Sequence, residues 1–191
     1  MKRAPIAAAL LALTAAGVTF AQTQAASTTA ANDLPSPDKE FVQAASMSSS
    51  TEIDASKLAA KQSQDADVKS FAHHMEMDHT KLAISLKMAA PHGVAVPKDM
   101  AAPHGVAVPK DNSDMAVLDA LSGLHGKAFD TAYIKQVGLD GHEKAVAAFQ
   151  TEADGGQNAD LKKAAQKALP TIKQHLKMAQ QLAAKKGITA Q

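Results

Sequence analysis

The stretch MAAPHGVAVPKDMAAPHGVAVPKD, residues 88–111, is one twelve-residue unit written twice without a difference. Each copy contains two prolines and a glycine, which break helices. A surface loop can double in length for about 0.6 kcal/mol of closure entropy, whereas an insertion inside a helix rotates every later side chain off the core face. The duplication therefore predicts an exposed loop that divides the chain into two helical halves. A second interpretation is a metal-capturing arm that uses His92 and His104.

Helix-favouring Ala, Lys, Leu, Gln and Glu dominate on both sides of this loop, and strand patterns are nearly absent. Capping residues, prolines and glycines set the limits of five predicted helices. They are helix A (36–63), helix B (65–90), a short helix (112–124), helix C (127–153) and helix D (158–186). Ser36 is the expected N-cap of helix A, and Pro170 is expected to bend helix D. The sequence thus predicts an all-α, up-and-down four-helix bundle over residues 36–187, followed by a tail at 188–191.

The N-terminus has the pattern of a secretory signal peptide, which we place at residues 1–21. Two basic residues precede an apolar run at 6–20 that is short for a bilayer-spanning helix, and small residues allow cleavage after Ala21 or after Ala25. The alternative is an uncleaved N-terminal anchor. Residues 22–35 are mostly small and polar, which predicts a flexible linker.

Composition narrows the classes of function. The chain of 191 residues has no cysteine, which excludes disulfides and a lipid-modified cysteine anchor. Its 20 basic and 19 acidic residues are balanced, and one Tyr with no Trp leaves little for base stacking, so nucleic acid is not an expected partner. No further transmembrane helix is predicted after cleavage. The partners that remain possible are other envelope proteins and a second copy of this chain.

Each predicted long helix has an apolar stripe at spacings of mostly three and four, and each stripe contains one strongly polar residue. These four residues are Glu52, His79, His142 and His175. With a rise of 1.5 Å per residue, the first three lie roughly 18 to 23 Å above the turns at one end, whereas His175 lies about one turn higher. The sequence therefore predicts one polar layer of three residues inside the bundle, and a fourth whose membership depends on helix stagger.

One carboxylate with two or three imidazoles is a ligand set suited to zinc, copper or iron. Glu76 and His79 also have the E-x-x-H spacing that di-iron bundles use, so Glu76 is a further candidate ligand. A full di-iron centre fits poorly, because Leu139 and Ile172 stand where a second such glutamate would be needed. The alternative to a metal site is a metal-free network in which the buried polar groups hydrogen-bond one another.

The run HHMEMDH, residues 73–79, has the Met and His composition that suits copper. Helical geometry places Met75 and His79 on the seam and His73 and Met77 on the opposite side, so the run cannot converge on one ion. Met75 is interpreted as core filler, and His125 beside Gly126 is expected to be exposed. No nucleophile–base pair, phosphate loop or zinc-protease motif is recognisable.

Several segments carry a resemblance to a known family: FVQAAS (41–46), TEIDASKLA (51–59), VKSFAHHMEMDHTK (68–81), GKAFDTAYI (126–134), GHEKAVAAF (141–149) and LKKAAQKALPTIKQHL (161–176). Residues 41–182 resemble the exported bacterial domain-of-unknown-function family 4142, which is labelled a predicted outer-membrane protein and grouped with ferritin-like bundles. The family pattern has one Gly-Val-x-x-Pro loop after the second helix, and this chain has two. The resemblance implies a ferritin-like fold and an envelope location, but no reaction.

Three hypotheses follow. The first is an exported periplasmic binding module, with outer-membrane association left open, whose polar layer holds a transition metal. The second is a structural or stress-related envelope protein with a metal-free core network. The third, which the sequence supports least, is an enzyme such as an oxidase, because no residues mark an open coordination position or a substrate channel.

Overall fold

The computed structural model describes residues 34–90 and 112–189. The predicted signal peptide, the linker up to residue 33 and residues 91–111 of the duplicated segment lie outside the described residues. Within the described ranges the regular elements are all helical and none is a strand, so the all-α prediction is confirmed. None of the described helices has the length and apolar character needed to cross a bilayer.

Two long helices precede the duplicated segment. Helix α1 spans Ser36–Gln62 and helix α2 spans Ala66–Ala89, close to the predicted limits. Asp65 caps α2, since its Oδ1 accepts from the backbone amides of Asp67 at 3.0 Å and Val68 at 3.2 Å. The expected Ser36 cap is wrong, because Pro35 occupies the N-cap position of α1 and no side chain caps that end.

Helix α3, Asn112–Ser122, precedes a helical stretch that changes its winding. Helix α4 spans Gly126–Tyr133, a π-helical segment spans Ile134–Gly141, and helix α5 spans His142–Gly155. The sequence predicts one regular helix here, so the π segment is a departure from that expectation. Gly138 sits at a close approach within it, where an added Cβ would lie 3.1 Å from the Cβ of Ala179.

Helix α6 spans Ala159–Lys186 and follows a short turn after α5. Asn158 caps it, with Oδ1 accepting from the amides of Asp160 at 3.1 Å and Leu161 at 3.0 Å. The helix ends at Gly187, whose φ of +65° is a left-handed conformation that glycine adopts without steric cost. The amide of Ile188 then donates to the Ala183 carbonyl, and Ile188 packs on the core.

The four long helices pack in a closed circuit. α1 lies along α2, α5 lies along α6, and the two pairs meet through α2–α6 and α1–α5 contacts. One further contact ties the pairs together: the buried Asp38 carboxylate of α1 accepts from the amides of Gln157 at 3.0 Å and Asn158 at 2.7 Å in the α5–α6 turn. Asp38 therefore fixes the start of α1 to the α5–α6 turn, so this turn and the α1–α2 turn lie at opposite ends of the bundle. The predicted up-and-down order is wrong, because α2 and the α4–α5 stretch both run from the end that contains Phe71 and Tyr133 to the end that contains Leu86 and Phe149.

The core consists of two apolar clusters. The first cluster is built around Phe41, Val42, Leu86, Phe149, Leu161 and Ile172. The second is built around Val68, Phe71, Met75, Phe129, Tyr133 and Ala179. On each long helix a buried residue of the predicted layer lies where one cluster gives way to the other, and these residues are Glu52, His79, His142 and His175. On α1 this region also contains buried serines and a threonine.

Candidate metal centre

The four residues of the predicted layer meet inside the protein. Glu52, His79, His142 and His175 are at most 3 % exposed. The imidazole centroids lie 5.2 Å apart for His79 and His175, 5.5 Å for His79 and His142, and 5.5 Å for His142 and His175. Three imidazoles and one carboxylate, one from each long helix, therefore form a compact buried cluster.

His175 joins the layer although the axial count places it one turn above the others. The count follows Cα positions, but side chains in a helix tilt toward its N-terminus. Because α5 and α6 run in opposite directions, this tilt moves the imidazoles of His142 and His175 toward each other along the bundle axis. The count also placed the α1–α2 and α5–α6 turns at one end, whereas they lie at opposite ends, so its heights for Glu52 and His79 do not compare directly with that of His175.

One nitrogen of each imidazole faces an oxygen. His142 Nδ1 donates to the Val137 carbonyl oxygen at 2.8 Å, and His175 Nε2 donates to Asp78 Oδ2 at 3.2 Å. His79 Nδ1 lies 2.7 Å from Glu52 Oε2. Carbonyl and ionised carboxylate oxygens only accept hydrogen bonds, so the facing nitrogen of each ring carries the proton.

The opposite nitrogens have nothing to bind. His79 Nε2, His142 Nε2 and His175 Nδ1 are buried and have no hydrogen-bond partner among the described residues. The Glu52–His79 contact is short, but its angle is not that of a hydrogen bond, so it acts as an electrostatic contact. One nitrogen from each ring lies within 4.8 Å of the other two, which makes the three histidines a group that can hold a metal ion.

The π-helical segment supplies part of this arrangement. Its Val137 carbonyl oxygen accepts from the His142 ring Nδ1, whereas the backbone amide of His142 donates to the Leu139 carbonyl oxygen. At its end, Gly141 lies beside the carboxylate, since an added Cβ would be 3.7 Å from Glu52 Oε1 and 3.3 Å from the Gln136 carbonyl oxygen. The wide turn thus orients one imidazole and leaves room for the glutamate.

Burial sets the protonation of the cluster. Burial lowers the pKa of His142, and burial together with the neighbouring His79 lowers the pKa of His175 to about 4. Both rings are therefore neutral at pH 7, the form in which imidazole binds metals. Burial acts to raise the pKa of Glu52, but attraction to His79 and His142 outweighs it and brings the pKa to about 2.

These pKa shifts leave the negative charge of Glu52 to be balanced. Glu52 is ionised in the dry interior, and the attraction that keeps it so requires positive charge on the histidine side. His142 and His175 are neutral and cannot supply that charge, which leaves His79, 2.7 Å from Glu52 Oε2, as its source within the cluster. A cation bound by the three free imidazole nitrogens would supply it.

The other sequence candidates lie apart from the cluster. Glu76 is half-buried on α2 and is not a member of the three-histidine group. In the HHMEMDH run, Met75 and His79 are buried whereas His73 and Met77 are exposed, as the helical geometry predicts. His125 is exposed, as expected. The metal-arm interpretation of His92 and His104 concerns residues outside the described ranges.

Sequence reasoning missed two partners of the histidines. Asp78 stands beside His79 in sequence but serves His175 on another helix, and 97 residues separate the bonded pair. Val137 contributes a backbone oxygen, which side-chain patterns do not reveal. The sequence feature that indicates an irregular helix near Val137 is the pair of glycines, Gly138 and Gly141, inside a stretch otherwise typical of a regular helix.

Cavities reach the cluster from opposite sides. One of about 240 Å³ is lined by Glu52, His79 and Gly141, with residues of α3 over it. Two others, of about 720 Å³ and 510 Å³, lie on the α2–α6 face, and both end on Asp78 and His175. The cluster is thus buried but adjoins open space on two sides.

Comparison with known proteins adds a family and no activity. No curated protein and no solved structure matches the chain. A family model described as a domain of unknown function (DUF4142) matches residues 21–182. The match includes all four residues of the buried layer and most of the chain, so this protein belongs to the DUF4142 family.

Proposed function

We propose that this protein is an exported helical-bundle binding module that holds one transition-metal ion on His79, His142 and His175. The observation that carries the proposal is the set of three buried imidazole nitrogens without partners, next to an ionised glutamate. In known metal sites the second nitrogen of a ligating histidine donates to a carboxylate or a carbonyl. Glu52, Asp78 and Val137 stand in those positions here.

The ligand set favours zinc, copper or iron, the metals that imidazole suits. In a tetrahedral zinc site, nitrogens about 2.0–2.1 Å from the metal are about 3.4 Å from one another. The three nitrogens here lie within 4.8 Å, so binding requires a small inward movement of the rings. Glu52 orients His79 and balances charge, and the fourth coordination position is open to water or to a small ligand.

The setting of the site is part of the same proposal. The closed circuit of four long helices supports a ferritin-like four-helix bundle in which α2 and the α4–α5 stretch run in the same direction. The basic and apolar N-terminal pattern supports export to the periplasm or the cell envelope, with outer-membrane association as a variant. We propose no reaction.

The test is metal analysis of untagged protein after chelation and reloading. We expect one equivalent of Zn²⁺ or Co²⁺ to bind, and binding to be lost in His79→Ala and His142→Ala. His125→Ala is the matched control, because His125 is exposed and lies outside the cluster. A ligand at 100 times its dissociation constant stabilises the folded protein by about 2.7 kcal/mol, so thermal unfolding reports the same event. Substoichiometric metal that the two histidine variants do not change would refute the proposal.

The competing function is a structural envelope protein with a metal-free core. The 2.7 Å contact between Glu52 and His79 favours it, because a protonated His79 would form a buried ion pair there. In that case chelators and added metals leave the melting temperature unchanged. The same reloading experiment therefore separates the two functions.

A further inference from the structure

The cluster is sealed from solvent, so an ion that binds there must pass through the protein. The cavity of about 510 Å³ on the α2–α6 face is lined by His74, Asp78, Pro170, Gln174, His175 and Met178, and we name it the vestibule. It contains an imidazole, a carboxylate and a thioether, three groups that bind transition metals. It ends on His175, a member of the buried cluster.

Asp78 connects the vestibule to the cluster. Its side chain is 29 % exposed, yet Oδ2 accepts from the buried His175 Nε2 at 3.2 Å. Its other oxygen, Oδ1, accepts from the Lys81 ammonium at 2.9 Å. One carboxylate thus contacts a buried metal-binding ring on one side and a surface cation on the other.

His74 extends this path outward. It lies four residues before Asp78 on α2, a spacing that places both side chains on one helix face. It is exposed and lines the vestibule, whereas its neighbour His73 is exposed but does not line it. The chain therefore has an imidazole at the mouth, a carboxylate midway and His175 at the inner end.

The opposite side of the cluster offers a poorer path. The cavity of about 240 Å³ there ends on Glu52 and His79, which are buried, and residues of α3 cover it. Its lining also contains Lys144, which would repel a metal cation, and Asp114, which would attract one, so its charge does not favour entry as the vestibule carboxylate does.

On this basis we propose that metal ions load the buried site through the vestibule, where His74 and Asp78 capture the ion and His175 passes it inward. The inference rests on the proposed metal site and adds its route of access. His175 stands between the vestibule and the other two imidazoles, so loading requires its hydrogen bond to Asp78 to break. Lys81 competes with the incoming ion for Asp78 and slows capture.

Stopped-flow loading of metal-free protein with Co²⁺ tests the route, followed through the visible absorption of bound cobalt. We expect Lys81→Gln to speed loading about fivefold at low salt, which is the effect of one unit charge at contact distance. His74→Ala should slow loading, because it removes a metal-binding imidazole from the vestibule. Salt should reduce the Lys81→Gln effect because it screens exposed charges. Final stoichiometry and the cobalt spectrum should stay unchanged in both variants.

Two matched variants complete the test. His73→Ala removes the same side chain one residue away from the vestibule face and should load at the wild-type rate. Ala148→Leu narrows the cavity on the Glu52 side and should also leave the rate unchanged. Equal rates in His74→Ala and His73→Ala, or slower loading in Ala148→Leu, would overturn the route while leaving the metal site standing. Absence of cobalt binding in the wild type would refute the site and the route together.

Discussion

Replacing Glu152 by Gln should stabilise the protein at neutral pH. Glu152 is 4 % exposed, and its Oε1 has no hydrogen-bond partner among the described residues. Burial, reinforced by the negative charge of Asp38, raises the pKa of Glu152 from 4.5 to about 6. The folded state therefore holds this carboxyl in its neutral form more strongly than the unfolded chain does.

The sign of the pH dependence follows from that shift. A raised folded-state pKa adds stability that is complete below the unfolded value of 4.5 and is lost as pH rises through about 6. With about 1.4 kcal/mol per pKa unit, the loss by pH 7 is about 2 kcal/mol. Gln cannot ionise, so Glu152→Gln should match the wild type near pH 4 and exceed it by up to about 2 kcal/mol at pH 7.

Urea denaturation of metal-free protein at several pH values between 4 and 8 measures this difference. For a domain of this size, about 2 kcal/mol corresponds to a rise of about 4–8 °C in melting temperature. Other groups titrate in the same range, among them His175, whose pKa is lowered to about 4 by burial. Their contributions cancel in the comparison of variant with wild type, provided the two sites do not interact.

The control is Glu143→Gln, because Glu143 lies on the same helix and is exposed. It should change stability little at any of these pH values. A Glu152→Gln protein that is less stable than the wild type at pH 8, or a difference that does not grow between pH 4 and 7, would refute this account of the buried carboxyl.

Three further variants test the fold. Asp38→Asn leaves one of the two amides of the α5–α6 turn without an acceptor, so it should lower the free energy of unfolding in urea by about 1–3 kcal/mol. An unchanged midpoint would contradict the role of Asp38 in holding the start of α1 to that turn. Tyr133→Phe removes the buried 2.9 Å hydrogen bond to Ser56 and should cost about 1–2 kcal/mol, most of which a double variant with Ser56→Ala should recover. Gly138→Ala places a methyl 3.1 Å from Ala179 and should cost about 1–3 kcal/mol; a neutral effect would show that the helices can separate freely.

Local signals predicted most helix ends, although the Ser36 cap was wrong and the π segment was missed, whereas distant contacts could not be predicted. Asp65 and Asn158 are recognisable as caps because their partners are two and three residues away. Asp38 also carries a visible acidic first-turn signal, but its amide partners lie 119 and 120 residues further along the chain. Only the fold brings those groups together, so its clamping role was not predictable.

The same distinction applies to the candidate centre. Spacing within each stripe identified Glu52, His79, His142 and His175, because burial follows helical periodicity. Their common height depended on the direction in which side chains lean, which a count of Cα positions ignores. Asp78 could not be assigned to His175, since the packing of α2 against α6 decides which residues meet across helices.

The π-helical segment has a consequence for the alignment of related sequences. The π segment Ile134–Gly141 has wider turns than the α-helices on its two sides, so it shifts the phase of the apolar pattern between α4 and α5. Removing a single amino acid within the segment would tighten the turn and rotate the preceding helix by about 100°. Phe129 and Tyr133 would then leave the interior, so relatives that lack one residue here need a differently patterned α4.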